Sequence, residues 1–133
     1  MLHMTKLPEK LSDLLRLAVR DAQACEADPR YVLYMGEWHR RAGAHCYVCM
    51  AGAIMAQTLG ADAGANAMPI DFGTSTRMRL RNVDFLRKGD SALLYGKAEA
   101  AGGLIREHYN AALGRAPWEI YLQAADMLEK AGL

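Results

Sequence analysis

The sequence has no long apolar run and no surplus of charge of one sign. No apolar stretch approaches the roughly 18 residues that a membrane-spanning helix needs, and the N-terminus lacks a charged segment followed by an apolar signal core. Sixteen Lys and Arg residues oppose fifteen Asp and Glu residues, a formal net charge of +1. Such a balance supplies no general field for drawing in polyanions, so any nucleic-acid surface would have to be local. These absences predict a cytoplasmic protein without a membrane partner.

Disulfide and catalytic signatures are absent as well. Three cysteines, an odd number without a secretory signal, argue against a disulfide framework, and reduced thiols are expected. The sequence contains no Gly-rich phosphate loop, Ser-His-Asp arrangement, paired catalytic carboxylates or dinucleotide fingerprint. The sequence therefore identifies no enzymatic activity and favours a function other than catalysis.

Length and composition predict one globular domain over residues 1–133. The chain is 52% apolar and 23% charged, close to the average for globular proteins. At this length, a domain buries about two thirds of its unfolded surface without metal or disulfide. His3-Met4 resembles the residue pair left by a cloning site, so residues 1–4 are interpreted as a cloning remnant or a disordered start and are left out of the fold prediction.

Apolar periodicity predicts a mainly helical α+β fold. Helices are predicted over residues 8–27, 48–59, 74–87, from Ser91 to Gly102-Gly103, from Leu104 to Leu113, and from Trp118 onward. The small residues of the second helix, such as Gly52, predict close approach by another element. The β-prone segments 31–35 and 45–48 predict one short hairpin within residues 31–48, and residues 60–73 predict a surface loop.

Two histidines and two cysteines lie close together in the sequence and are the candidates for chemistry. They are His39, His45, Cys46 and Cys49. Three functional hypotheses use them: a zinc site with all four as ligands, a Cys-x-x-Cys redox motif, and a nucleophilic cysteine with a histidine base. Against zinc, neighbours on a strand point to opposite faces, so His45 and Cys46 do not aim at one metal on a regular strand. The competing hypothesis is that both cysteines fill the core, as Cys25 of the first helix does.

Arginines form the one notable cluster of like charge. The candidate binding residues are Arg77, Arg79, Arg81, Arg87 and Lys88, with Arg40 and Arg41 elsewhere in the chain. On a helix, Met78, Val83 and Leu86 are predicted to face inward, and several of the arginines are predicted to face solvent. Guanidinium groups bind phosphates and carboxylates through paired hydrogen bonds, so this surface is suited to an acidic partner or a nucleotide. The alternative is a solvated helix face without function.

Two segments carry a resemblance to a known family. The segment from Tyr31 to His39 reads Tyr-x-Leu-x-Met-x-x-Trp-His, and that from Cys46 to Ala56 reads Cys-x-Val-Cys-x-Ala-Gly-Ala-x-Met-Ala. With the C-terminal pattern from Trp118 to Leu133, they resemble a family of small uncharacterised bacteriophage and prophage proteins, over about a third of the chain. The resemblance implies a phage or prophage setting, hence the cytoplasm of a host cell, and carries no activity onto these residues.

Three functional hypotheses result. The leading one is a phage-type accessory protein that acts by binding, either inhibiting a host or defence protein or sequestering a small nucleotide signal, through an apolar and arginine-bearing surface around residues 74–88 or a cleft formed by a homo-oligomer. The second is an enzyme or zinc protein centred on the Cys/His cluster. The third is a structural component of the virion.

Overall fold

The computed structural model of the protein describes residues 7–87, 89 and 96–133. The described residues form helices α1 (Leu11–Glu26), α2 (Met50–Gln57), α3 (Thr74–Arg87), α4 (Glu99–Glu107) and α5 (Trp118–Lys130), and strands β1 (Tyr31–Leu33), β2 (His39–Ala42) and β3 (His45–Val48). Short 3-10 helices lie at Pro69–Phe72 and Gly96–Ala98. The predicted mainly helical α+β class is confirmed. Residues 1–4, Lys88 and the predicted helix start at Ser91 lie outside the described residues.

Helix α1 lies at the centre of the fold and packs against α5 and α2. Its apolar residues recur every three or four positions, which places them on one face, and that face is fully buried at Leu15, Ala18 and Ala22. Helix α5 covers α1 with a similar stripe that includes Tyr121 and Leu128. Both helices were predicted from this periodicity.

No helix in the described part of the chain is long and apolar enough to cross a membrane.

The strands form a mixed three-stranded sheet with β3 in the middle. Strand β1 pairs with β3 in parallel, with Tyr31 opposite Cys46, whereas β2 pairs with β3 antiparallel, with His39 opposite Val48. The structure has a hairpin within residues 31–48, but the predicted pairing of segments 31–35 and 45–48 was wrong: they run parallel, and β2 forms the hairpin with β3. Strand β2 was not predicted, because its sequence does not alternate apolar and polar residues. It lies at the edge of the sheet and exposes Arg40 and Arg41.

Helix α2 touches the segment that precedes β2. A Cβ atom added to Gly52 would lie 1.3 Å from the carbonyl oxygen of Trp38 and 3.2 Å from Cβ of Val48. Only glycine leaves room for a backbone at this distance. The predicted close approach to α2 is confirmed. This contact holds the backbone of Trp38, the residue immediately before β2, against α2.

Two predictions in the C-terminal half were wrong. Gly102 and Gly103 lie inside α4 and do not break it, because α4 packs against α5 and buries Ala101, Gly102 and Ile105. The helix predicted from Leu104 to Leu113 ends at Glu107, because a tight turn closed by the bridge between Asn110 and Arg115 replaces its second half. Leu113 is 54% exposed at the tip of that turn.

Candidate functional site

The structure brings together two of the four Cys/His candidates. His39 on β2 and Cys46 on β3 are both buried, and Sγ of Cys46 lies 3.5 Å from Nε2 and 3.8 Å from Nδ1 of His39. The two side chains share the inner face of the sheet. The backbone of Ala65 favours the charged form of the imidazole and so partly opposes the effect of burial on the pKa of His39.

The electrostatics of this pair do not favour an activated nucleophile. Burial raises the pKa of the Cys46 thiol, and only the backbone of Arg40 and the charge of Arg41 oppose the shift. Burial also lowers the pKa of His39 below its ordinary value of 6.5. A nucleophilic cysteine needs the opposite condition, a lowered thiol pKa beside a base that accepts its proton. Both groups are therefore neutral at pH 7, and their contact is a buried packing contact.

The remaining candidates lie apart from this pair. His45 precedes Cys46 on β3 and is exposed on the opposite face, as strand alternation requires. Cys49 follows the strand and caps α2, where its Sγ accepts a hydrogen bond from the backbone N–H of Gly52 at 3.4 Å. The described residues contain no group of three or more His, Cys, Asp and Glu side chains placed to hold a metal ion. The four candidates therefore do not form one zinc centre.

All three sulfurs are core groups, as the packing hypothesis predicts. Cys25, Cys46 and Cys49 are free thiols with at most 1% of their surface exposed. Burial raises the pKa of Cys25 and of Cys49 to about 11. Redox exchange through the Cys-x-x-Cys spacing would require a lowered pKa and access for a second thiol. Neither condition holds for Cys46 or Cys49.

The buried imidazole predicts a loss of stability in mild acid. Because the pKa of His39 is lower in the folded protein than in the unfolded chain, the unfolded chain binds the extra proton first as the pH falls below about 6.5. Stability is thus full above the unfolded pKa and declines as the pH falls toward the folded one. Urea unfolding at a series of pH values should show this decline in the native sequence, and a smaller one in His39→Gln. Equal slopes for both proteins above pH about 5 would contradict this explanation.

The arginine cluster separates into structural and free members. Arg79 donates from Nη1 to the carbonyl oxygens of Leu7 at 2.9 Å and Pro8 at 2.8 Å, which ties α3 to the segment before α1. Arg87 is buried and pairs with Asp84. The prediction that several arginines face solvent holds for Arg77 and Arg81, which are exposed, but does not extend to Arg87, which is buried.

Arg40 and Arg41 lie on strand β2 and not on α3. Arg40 stacks over the ring of Tyr47 at 5.3 Å and pairs with Glu37 at 3.3 Å. Arg41 is exposed, and its backbone N–H donates to the side chain of Asn66. Lys88 lies outside the described residues. Of the predicted basic cluster, Arg77 and Arg81 therefore remain as a pair on one surface.

These two arginines line a cleft of about 540 Å³ between α3 and the loop that precedes it. We call it the arginine cleft; its lining residues are Trp38, Met68, Pro69, Ile70, Arg77, Arg81, Asp84 and Phe85. Positions 77, 81, 84 and 85 lie on one face of α3, because helical residues three and four apart are neighbours. The guanidinium of Arg81 lies 5.5 Å from the centre of the Phe85 ring.

Exposed apolar side chains flank the arginine cleft. Met68 and Ile70 on its loop side are 52% and 57% exposed. Met78, one helical turn before Arg81, is 53% exposed, so its predicted inward orientation was wrong, and Leu80 takes the buried position instead. Met68 and Ile70 were not predicted as site residues, because residues 60–73 show no apolar period and were assigned to a surface loop. Pro69 inside an apolar triplet was the available signal, since it starts the 3-10 helix that forms this wall.

Comparison of the chain with protein-family models, with curated proteins and with solved structures found no match.

Proposed function

We propose that the protein acts by binding, and that the arginine cleft receives a partner carrying negative charge beside an apolar surface. The observation that carries this proposal is the convergence of Arg77 and Arg81 with Trp38 and Phe85 around one open cleft. A surface that existed only for solubility would spread its charges and bury its aromatic rings. Here two cations and two aromatic side chains share a concave surface, which is the composition of a recognition site.

A protein is the partner class that the surroundings of the cleft favour. Three large apolar side chains, Met68, Ile70 and Met78, are each more than half exposed around it. Methionine adapts its shape to a partner and is frequent at binding surfaces, and arginine is enriched where interfaces carry most of their energy. In the phage or prophage setting that the sequence resemblance implies, such a partner is a host or defence protein with an acidic and apolar segment.

A small nucleotide is the second candidate ligand. The cleft volume of about 540 Å³ falls within the range of about 300–1,000 Å³ that small-molecule sites occupy. Arg77 and Arg81 would contact phosphate, and Trp38 would offer its ring to the base. Asp84 lines the same cleft and opposes a strongly charged ligand, which is the reason to place the nucleotide second.

Charge reversal at the cleft provides the test. We expect Arg77→Glu with Arg81→Glu to weaken partner capture from host lysate at least tenfold, because each substitution removes a favourable charge contact and adds a repulsive one. The nucleotide candidate is tested in parallel by titrating the purified protein with mono- and dinucleotides and following tryptophan fluorescence. Binding that vanishes in the double variant would identify the nucleotide as the ligand.

The matched control reverses two charges that do not line the cleft. Lys97→Glu with Lys130→Glu changes the net charge equally, and both lysines are exposed. The control should retain the partners of the native protein, and sedimentation of all three proteins would show whether one partner is a second copy of the chain. Equal loss of binding in both double variants would indicate a general charge effect and contradict the proposal. Unchanged binding in both would exclude the arginine cleft.

A further inference from the structure

A second cleft lies on the other side of the last turn of α3. It has a volume of about 440 Å³ and runs between residues 33–36, at the end of β1, and the turn formed by Tyr109 and residues 111–114. None of its lining residues belongs to the arginine cleft. Among the described residues that line it, Arg87 is the one charged residue, and the other side chains are apolar or tyrosine.

The guanidinium of Arg87 is buried and only partly satisfied. Its side chain is 8% exposed, and its Nε donates to Oδ1 of Asp84 at 2.5 Å. Its Nη1 is closed to solvent and has no hydrogen-bond partner among the described residues. A buried donor on a charged group without a partner is strongly unfavourable, and native structures satisfy almost all such groups. A ligand that brings a hydrogen-bond acceptor into the cleft would supply the partner that Nη1 lacks among the described residues.

We propose that this second cleft binds a carboxylate on an apolar or aromatic body, with Arg87 as its anchor. Asp84 already balances most of the charge of Arg87, so a monoanion fits the site better than a phosphate dianion, which Asp84 would repel. A planar carboxylate matches the hydrogen-bonding edge of a guanidinium. The body of the ligand lies against Leu33, Met35 and the ring of Tyr109.

Nη1 is closed to solvent, so a ligand has to displace a side chain to reach it. Tyr34 and Leu113 line the cleft from opposite sides, and each is 54% exposed. Exposed side chains change rotamer on the nanosecond timescale, so both are able to move aside for a ligand. The same carboxylate chemistry occurs in a free small acid and at the C-terminus of a partner polypeptide, and the experiment below separates these sources.

The test follows amide and arginine Nε–H resonances of the full-length protein during titration with benzoate. N-acetylphenylalanine stands for a polypeptide C-terminus, benzyl alcohol is the uncharged control, and inorganic phosphate is the dianion. We expect benzoate or N-acetylphenylalanine to shift the Arg87 resonance and those of residues 33–36 and 109–114 in the millimolar range. The tighter of these two ligands identifies the source. Benzyl alcohol and phosphate should bind at least about tenfold more weakly.

Two variants at Ala112 keep the proposal testable even if changes at Arg87 impair folding. Ala112 is exposed in the turn that lines the cleft. Ala112→Asp places a carboxylate at the rim and should weaken benzoate binding at least about tenfold, whereas Ala112→Asn, its uncharged match, should leave it within about twofold. Equal affinity of both variants, or no shift with either carboxylate, would overturn the proposal. A crystal structure with only an ordered water on Nη1 in the presence of saturating benzoate would do the same.

This inference is independent of the function proposed for the arginine cleft. Arg77→Glu with Arg81→Glu should leave benzoate binding within about twofold of the native value, because neither residue lines the second cleft. Loss of partner capture with retained benzoate binding would thus support both proposals. Retained capture with no benzoate binding would overturn this one alone.

Discussion

Replacement of Gly52 by alanine is expected to destabilise the protein by at least about 3 kcal/mol, a large fraction of the roughly 5–15 kcal/mol by which native proteins are stable. The added Cβ would lie 1.3 Å from the Trp38 carbonyl oxygen and 2.5 Å from its carbonyl carbon. Both atoms belong to the backbone, so no rotamer change relieves the overlap. Either α2 or the segment before β2 has to move, and both are fixed by the core. Urea unfolding followed by circular dichroism measures the change.

The matched control is Gly103→Ala in the middle of α4. A Cβ at Gly103 meets no atom within 4 Å, and alanine is favoured over glycine inside a helix by up to about 1 kcal/mol. This variant should therefore be as stable as the native protein or slightly more stable. A Gly52→Ala protein with native stability would show that the contact between α2 and Trp38 is looser than the structure has it.

Removal of the Tyr121 side chain is the second change with a large expected effect. Tyr121 is fully buried on α5; its hydroxyl donates to the carbonyl oxygen of Arg87 and accepts from the backbone N–H of Ala116, both at 3.2 Å. Tyr121→Ala should cost about 3–5 kcal/mol through the cavity it leaves. Tyr121→Phe keeps the ring and leaves two buried backbone groups without a partner, at a cost of about 1–3 kcal/mol.

Tyr34→Phe serves as the control for the loss of a hydroxyl. Tyr34 is 54% exposed, so its hydroxyl is hydrated in the folded and unfolded states and the change should lie within about 0.5 kcal/mol. If Tyr121→Phe were as mild as Tyr34→Phe, the hydroxyl of Tyr121 would not join α5 to the end of α3 as described.

The helices were predictable where their periodicity is local, and the sheet was not. The apolar stripe of α1 and the sequence from Trp118 onward determine their own buried faces. Pairing between β1 and β3 depends on a parallel contact across the intervening chain, which periodicity within either strand cannot reveal. Strand β2 carries Arg40 and Arg41, so its sequence resembles a polar loop. The glycine pair at Gly102-Gly103 indicated a break by propensity, and the packing of α4 against α5 overrides that propensity.

The sequence predicted that arginines form the candidate site, but it identified only some of the residues that line the cleft. The sequence located the arginines around residues 74–88, and two of them, Arg77 and Arg81, line a cleft. The sequence could not show that Arg79 binds the segment before α1, because the two lie far apart in the chain. It could not show that Arg87 is buried, because burial depends on how the elements pack. The wall formed by Met68 and Ile70 arises from the 3-10 helix packing beside Trp38, a contact between segments about thirty residues apart.

A function by binding alone requires that the cysteine sulfurs be packing groups, because an accessible thiol or a bound metal would restore the enzyme and zinc hypotheses. Thiol titration with a chromogenic disulfide, before and after denaturation, together with elemental analysis of the purified protein, tests this most directly. The burial of Cys25, Cys46 and Cys49 predicts no fast-reacting thiol in the native state and three after denaturation, without stoichiometric zinc. A native thiol that reacts within seconds, or one zinc ion per chain, would contradict it.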